Sequence, residues 1–155
     1  IEYAVEHGKG LFALVRTSNP GGDALQSLPV GNGRTVAEAV GRLVAEAGGE
    51  ARLIGREGYS LLGAVVGATK PKDAERLRDV MPKQIFLVPG FGAQGGSADD
   101  VRACFNDDGR GAIITASRSI IYAYESDERD DWTAAVGRAA ERMKKEVADV
   151  VATVG

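Results

Sequence analysis

Little in this 155-residue chain suits it for covalent cross-linking, membrane insertion or a polyanionic partner. The single cysteine, Cys104, excludes an internal disulfide. Its neighbours Val101 and Phe105 mark it as a packing residue on an apolar helical face rather than a reactive thiol, and the expected compartment is reducing. No stretch has the apolar length that a bilayer-crossing helix needs. The opening Ile1-Glu-Tyr-Ala-Val-Glu-His7 has no basic region followed by an apolar run. A cytosolic location with no membrane partner is therefore expected. Positive charge is not in excess either, since 19 Lys and Arg face 22 Asp and Glu for a net charge of -3 and a pI near 5.3. Such a field repels polyanions, so nucleic acid is not an expected partner.

With 44% hydrophobic and 26% charged residues the chain can bury a core. Four nearly continuous apolar runs stand out: Leu11 to Arg16, Gly63 to Thr69, Gln84 to Val88 and Gly111 to Ala116. Runs of this kind fit parallel strands covered on both faces. Between them lie amphipathic stretches. Thr35 to Ala47 carries Val36, Val40, Leu43 and Val44 on one side. Lys72 to Val80 is opened by Pro71, and Ala98 to Phe105 by Ser97 with Asp99 and Asp100 in the first turn. From about Asp131 to Val151, Trp132, Val136, Ala139, Ala140, Met143 and Val147 form a stripe with Trp132 as a packing anchor. Glu2 to His7 resembles the tail of an earlier helix, with His7 at its end near Gly8. Lys70-Pro-Lys-Asp73 reads as a solvated helix start, and Glu125 to Asp131 as a solvated acidic loop.

Strand and helix thus alternate four times. A complete (β/α)8 barrel takes roughly 250 residues, so one expectation is half a barrel, with on the order of 100 residues ahead of Ile1. A chain that begins inside a helix without a cap or an initiator methionine fits that expectation. A small open four-stranded domain fits the element order equally well.

Two segments carry chemistry. Leu87-Val-Pro-Gly-Phe-Gly-Ala-Gln-Gly-Gly96 and Ala116-Ser-Arg-Ser119 each fall where a strand should give way to a helix. Gly-rich turns leave backbone N–H groups uncovered, the following helix adds its positive end, and the Arg118 guanidinium can fork onto the same anion. Two such turns in successive units describe a phosphate grip. Taken alone, Arg118 fits a surface ion pair as readily, the glycines fit a plain tight loop, and Ser18 fits a turn or cap. Gly90-Phe-Gly-Ala-Gln-Gly95 also satisfies the G-x-G-x-x-G dinucleotide fingerprint. That motif belongs after the first strand of its unit and is answered by an acidic residue; here the next strand ends in Ser117 and Arg118, which leaves an NADP-binding α/β domain as an alternative.

Arg16-Thr-Ser-Asn-Pro-Gly21, Val65-Val-Gly-Ala-Thr69, the 87–96 segment and Ala116-Ser-Arg-Ser-Ile120 together resemble the second half of orotidine 5'-phosphate decarboxylases, in the bacterial subgroup with a Thr-Ser-Asn-Pro signature. The resemblance covers essentially the whole chain and makes residues 1–155 the C-terminal half of one α/β TIM-barrel domain. It implies a dimeric enzyme converting orotidine 5'-monophosphate to UMP and carbon dioxide in pyrimidine synthesis, with no cofactor and no metal. By resemblance, Ser18 would hydrogen-bond the pyrimidine edge, Pro89 and Gly90 would begin a loop closing over the nucleotide, and Gln94, followed by Gly95, would bridge phosphate and base. Arg118 would pair with the phosphate, and Ser117 would serve the same anion. The family's catalytic Asp-x-Lys-x-x-Asp motif is not in this sequence. No catalytic residue is therefore expected here, and this chain without a first half is expected to bind poorly and to be inactive. The remaining alternative is a non-catalytic phosphate-binding half-barrel whose open sheet edges favour self-association.

Overall fold

The computed structural model describes residues 1–92, 96–126 and 131–154. Strands β1 (Leu11–Arg16), β2 (Leu62–Val66), β3 (Phe86–Val88) and β4 (Ala112–Ile114) pair in parallel in the order β1-β2-β3-β4. A short α1 (Glu2–Glu6) precedes them; α2 (Asp23–Gln26) and α3 (Val36–Ala47) join β1 to β2, α4 (Pro71–Val80) joins β2 to β3, and α5 (Ala98–Arg102) joins β3 to β4. After β4 come α6 (Arg118–Ile121) and the long α7 (Trp132–Val151). Spatial order follows chain order throughout. That progression is the one a barrel uses, whereas a dinucleotide fold reverses its strand order at the binding crevice.

Local chemistry accounts for the helix starts. Thr35 Oγ1 accepts from the Glu38 N–H while the Glu38 carboxylate accepts from the Thr35 N–H, a reciprocal cap for α3. Ser97 and Asp100 do the same for α5, and those hydrogen bonds, the backbone one from Ser97 foremost, hold the Asp100 carboxyl below its usual pKa. Pro71 occupies the first turn of α4, where its missing N–H costs nothing.

The sheet has one covered face and one open face. Ala64, Val66, Phe86 and Val88 are buried against the helices together with Val44, Leu77, Met81, Val101 and Phe105. On the opposite face, Phe12 lies in register with Gly63 and Leu14 with Val65. Phe12, Leu14 and Ile113 remain exposed at 44, 61 and 47%. Strands covered on both faces were expected; the described helices cover only one. Gly63 is required beneath Phe12, because a Cβ there would come within 2.6 Å of the ring.

Register decides which face Arg16 joins. Leu14 pairs with Val65, but the next paired position joins Arg16 to Val66, one residue later on β1 than strict alternation allows. This irregularity turns Arg16 away from the Phe12–Leu14 face and onto the helix side with Val66.

At the amino ends of the strands, buried Arg78 of α4 ties the layers together. Its guanidinium donates to the carbonyls of Met81 and Gln84, each at 2.9 Å, of Gly111 at 2.9 Å and of Cys104 at 2.6 and 3.2 Å, and it lies 3.6 Å from the Phe86 ring centroid. Burial with no carboxylate partner pulls its pKa down to about 10. Cys104 packs in the core as expected, and burial pushes its thiol up to about 12.

Several expectations need correction. Trp132 is 63% exposed, because it is the first residue of α7 and lies beyond the turns that Ala135 and Ala139 bury. Leu43 of α3 faces solvent too. The helix expected over Ala98 to Phe105 ends at Arg102, with Cys104 and Phe105 buried just past it. The Glu125 to Asp131 loop falls largely outside the described residues.

Candidate functional site

The carboxyl ends of the four strands form a rim, and its geometry follows from a sequence of close backbone approaches. Gly67, just past β2, donates its N–H to the Arg16 carbonyl at 2.8 Å. Ala68 donates to the Pro89 carbonyl past β3 at 2.9 Å, and Thr115 past β4 donates to Val88 at 3.0 Å. All four tips are thereby held in one continuous edge.

At the β3–β4 end, the glycine loop folds back on itself. Gly90 and Gly92 have φ of 96° and 71°, the left-handed region that a side chain would disfavour. Gly96 donates to Gly90 O at 3.3 Å and accepts from Gly92 at 2.8 Å. A Cβ on Gly96 would stand 2.7 Å from the Ala68 methyl, so only glycine lets the loop close on β2. Buried Phe91 anchors the loop beneath. The result is a cleft of about 210 Å³ lined by Pro89, Gly90, Phe91, Thr115, Ser117 and Arg118. Ser117 and Arg118 are exposed, and among the described residues the Arg118 guanidinium has no carboxylate partner. It is a cation available to an anion, next to turn backbone.

The residues expected at the site divide into three sets. Pro89, Gly90, Ser117 and Arg118 share the cleft. Gln94 and Gly95 lie outside the described residues. Ser18, half-buried at the tip of β1, does not line the cleft; three strand spacings, roughly 14 Å in a flat sheet, separate the β1 and β4 tips. One shared pocket for all of them is therefore not what the described residues form; they make a cleft at one end and a serine at the other end of the same edge. The helical contribution expected at the cleft is also smaller than anticipated. The helix after β4 has only four residues, so turn N–H groups and the guanidinium carry the positive field there.

Sequence reasoning missed a charged assembly beside Ser18. Arg16 is only 2% exposed. Its Nε donates to Asp73 at 2.8 Å, Nη1 to Gln26 at 2.9 Å, and Nη2 to Asp23 and, at 3.4 Å, to Ser27. Lys70 Nζ bonds the other Asp23 oxygen at 2.8 Å. Lys70-Pro-Lys-Asp73 does start α4 as expected, with Lys70 at its cap and Asp73 in its first turn, but Lys70 also pairs with Asp23 and Asp73 with Arg16. Hydrogen bonds from Lys70 and then Arg16 hold the Asp23 carboxyl down at about 2. Burial opposes the Arg16 charge, but its bonds to Asp23 and Asp73 outweigh that and raise its pKa. The available signal was an arginine closing an apolar strand, followed by one helix that begins with Asp23 and another that carries Asp73 in its first turn. Nearby, buried Thr69 Oγ1 has no hydrogen-bond partner among the described residues.

The dinucleotide alternative lacks its structural context, because the glycine motif follows the third of four sequentially ordered strands. Among the described residues no three His, Cys, Asp or Glu side chains group so as to hold a metal ion, and no helix is long and apolar enough to cross a membrane.

Comparison with known proteins completes the picture. The profile of the orotidine 5'-phosphate decarboxylase / HUMPS family matches residues 1–131. The orotidine 5'-phosphate decarboxylase of Rhodopirellula baltica is 44% identical over 153 residues, which is 95% of this chain and 50% of that protein. That of Caldicellulosiruptor bescii is 42% identical over 139 residues, covering 90% and 45%. A solved orotidine-monophosphate-decarboxylase structure from Toxoplasma gondii superposes with a TM-score of 0.72 at 27% identity, over 97% of this chain and 55% of that one. Leishmania donovani OMP decarboxylase gives 0.65 at 33% identity, over 90% and 48%. These neighbours are TIM barrels, and the four-stranded parallel sheet corresponds to part of one. The chain spans about half the length of the curated relatives it matches. With strand order, rim glycines and profile in agreement, this chain belongs to the orotidine 5'-phosphate decarboxylase / HUMPS family.

Proposed function

We propose that this chain carries the nucleotide-binding half of an enzyme that decarboxylates orotidine 5'-monophosphate to UMP and carbon dioxide without cofactor or metal. The observation that carries the reading is the cleft at the β3–β4 tips, where the Arg118 guanidinium, with no carboxylate partner among the described residues, stands beside Pro89, Gly90 and Ser117. A guanidinium fork and turn N–H groups are the donor set a phosphate dianion takes. Gln94, followed by Gly95, takes the role the resemblance implies for it, a bridge between phosphate and base. Ser18 takes the pyrimidine edge at the far end of the rim, where a hydroxyl can both donate and accept.

Bond breaking itself is assigned to residues that this sequence does not supply. In the family pattern, an Asp-x-Lys-x-x-Asp motif places aspartate against the departing carboxylate and lysine as proton donor to the vacated ring carbon. Four further strand–helix units carrying that motif would pair with the free edges of β1 and β4 and cover Phe12, Leu14 and Ile113. A homodimer of the completed barrel, in the cytoplasm, belongs to the same reading.

Thermal unfolding of the chain with UMP and with NADPH tests the binding half. UMP raises the melting temperature and NADPH does not. Protection by NADPH alone, or by neither, overturns the reading. In an enzyme completed by a first-half polypeptide, Arg118→Ala lowers kcat/KM by several powers of ten, because phosphate binding energy is realised in the transition state. Unchanged kinetics would remove Arg118 from the site.

A further inference from the structure

Ser18 stands where two structural devices meet, the Arg16 assembly and Gly67, whose backbones are joined by the Gly67 N–H to Arg16 carbonyl bond, and neither lines the phosphate cleft. The first is the Arg16 assembly. Gln26 Oε1 accepts from Arg16 Nη1 at 2.9 Å and also from the Thr17 N–H at 3.0 Å and the Thr17 hydroxyl at 3.1 Å. The guanidinium therefore fixes Gln26, and Gln26 fixes the residue immediately before Ser18. Asp23 and Asp73 hold the guanidinium from α2 and α4, so the start of the 17–22 loop is referred to two helices at once. A planar fork with five donors can satisfy that set, whereas an ammonium cannot.

The second device is Gly67. A Cβ on this residue would lie 2.8 Å from both the Ser18 nitrogen and the Ser18 Cβ, and 3.1 Å from its Cα. The absence of a side chain at Gly67 is the space that Ser18 occupies. Gly67 continues the alternation of Gly63 and Val65, so this seat is on the open face of the sheet, the side on which Phe12 and Leu14 lie. Arg16 pulls from the helix side of the strand and Gly67 receives Ser18 on the other.

We propose that Arg16 and Gly67 are positioning residues for recognition of the pyrimidine ring: they set where Ser18 presents its hydroxyl, and so select for the base rather than for the phosphate. This inference rests on the proposed nucleotide site. It goes beyond that site by assigning specificity to a buried ion network and a glycine that act through the placement of Ser18.

The test uses this chain with two substitutions, Arg16→Met and Gly67→Ala, read by amide hydrogen exchange and by titration with UMP and with inorganic phosphate. Expected for each variant is at least tenfold faster exchange across residues 17–22, with the amides of β2 and β3 as protected as in the unaltered chain. UMP affinity falls about tenfold or more, and phosphate affinity is unchanged. Gly67→Ala keeps the question open to refutation should Arg16→Met fail to fold, because the three atoms nearest its added Cβ all belong to Ser18. Unchanged exchange at 17–22, or UMP and phosphate affinities that fall together, overturns the proposal. Failure of the unaltered chain to bind UMP overturns the functional reading instead, and the exchange data still decide whether Arg16 and Gly67 hold Ser18.

Discussion

Two buried guanidiniums, Arg16 at the carboxyl ends of the strands and Arg78 near their amino ends, solve the same desolvation problem in opposite ways. Arg78 makes no ion pair among the described residues and spends its donors on backbone carbonyls of the segments before β3 and β4 and after α5. Its charge is held against burial by carbonyl dipoles and the Phe86 face, which is why its pKa drops to about 10. Arg16 meets two carboxylates and a glutamine instead, all side chains of neighbouring helices, and its pKa rises. Main-chain partners cannot be repositioned without moving the strands, whereas side-chain partners can. The lower end of the sheet is therefore built for rigidity, and the rim for exact placement of a loop.

The comparison breaks most readily at Arg78. Arg78→Met leaves four buried carbonyls without their donor and should cost about 3–5 kcal/mol, read as loss of the urea midpoint or failure to fold. A cost below about 1 kcal/mol would mean that the lower end is held by packing alone. Arg16→Met should cost less, about 1–3 kcal/mol, because Asp23, Asp73 and Lys70 can turn to water at the rim. Equal losses for the two variants would erase the distinction between the ends. Cys104 sharpens it further. Its thiol, pushed up to about 12, should resist alkylation at pH 8 in the folded chain and react faster in Arg78→Met, which loses the guanidinium that bonds the Cys104 carbonyl. The smallest effect belongs to Asp23. Its carboxyl, held at about 2 against an ordinary 3.8, adds stability that is present above pH 4 and lost as pH falls toward 2. Asp23→Asn should flatten that part of the acid unfolding curve and leave the curve above pH 5 unchanged.

Much of this was legible without coordinates. β1 begins and ends where the apolar run does, and Thr35, Pro71 and Ser97 start their helices through local hydrogen bonds and a preset φ. The cleft residues were legible because Gly-rich turns after strands have few physical uses. Coverage of the sheet was not, since an apolar strand looks the same whether both faces or only one are packed. Trp132 misled for a related reason: periodicity reports which side of a helix is apolar, not how far its neighbours extend.

The amino-acid order by itself determined the alternation of strand and helix, the glycines at the rim and the family to which the chain belongs, because these rest on local propensity and on short motifs. Tertiary structure alone decided that Arg16 turns toward the helices and that Ser18 sits over Gly67. Both depend on a one-residue slip between β1 and β2, and pairing register belongs to two strands together rather than to either segment.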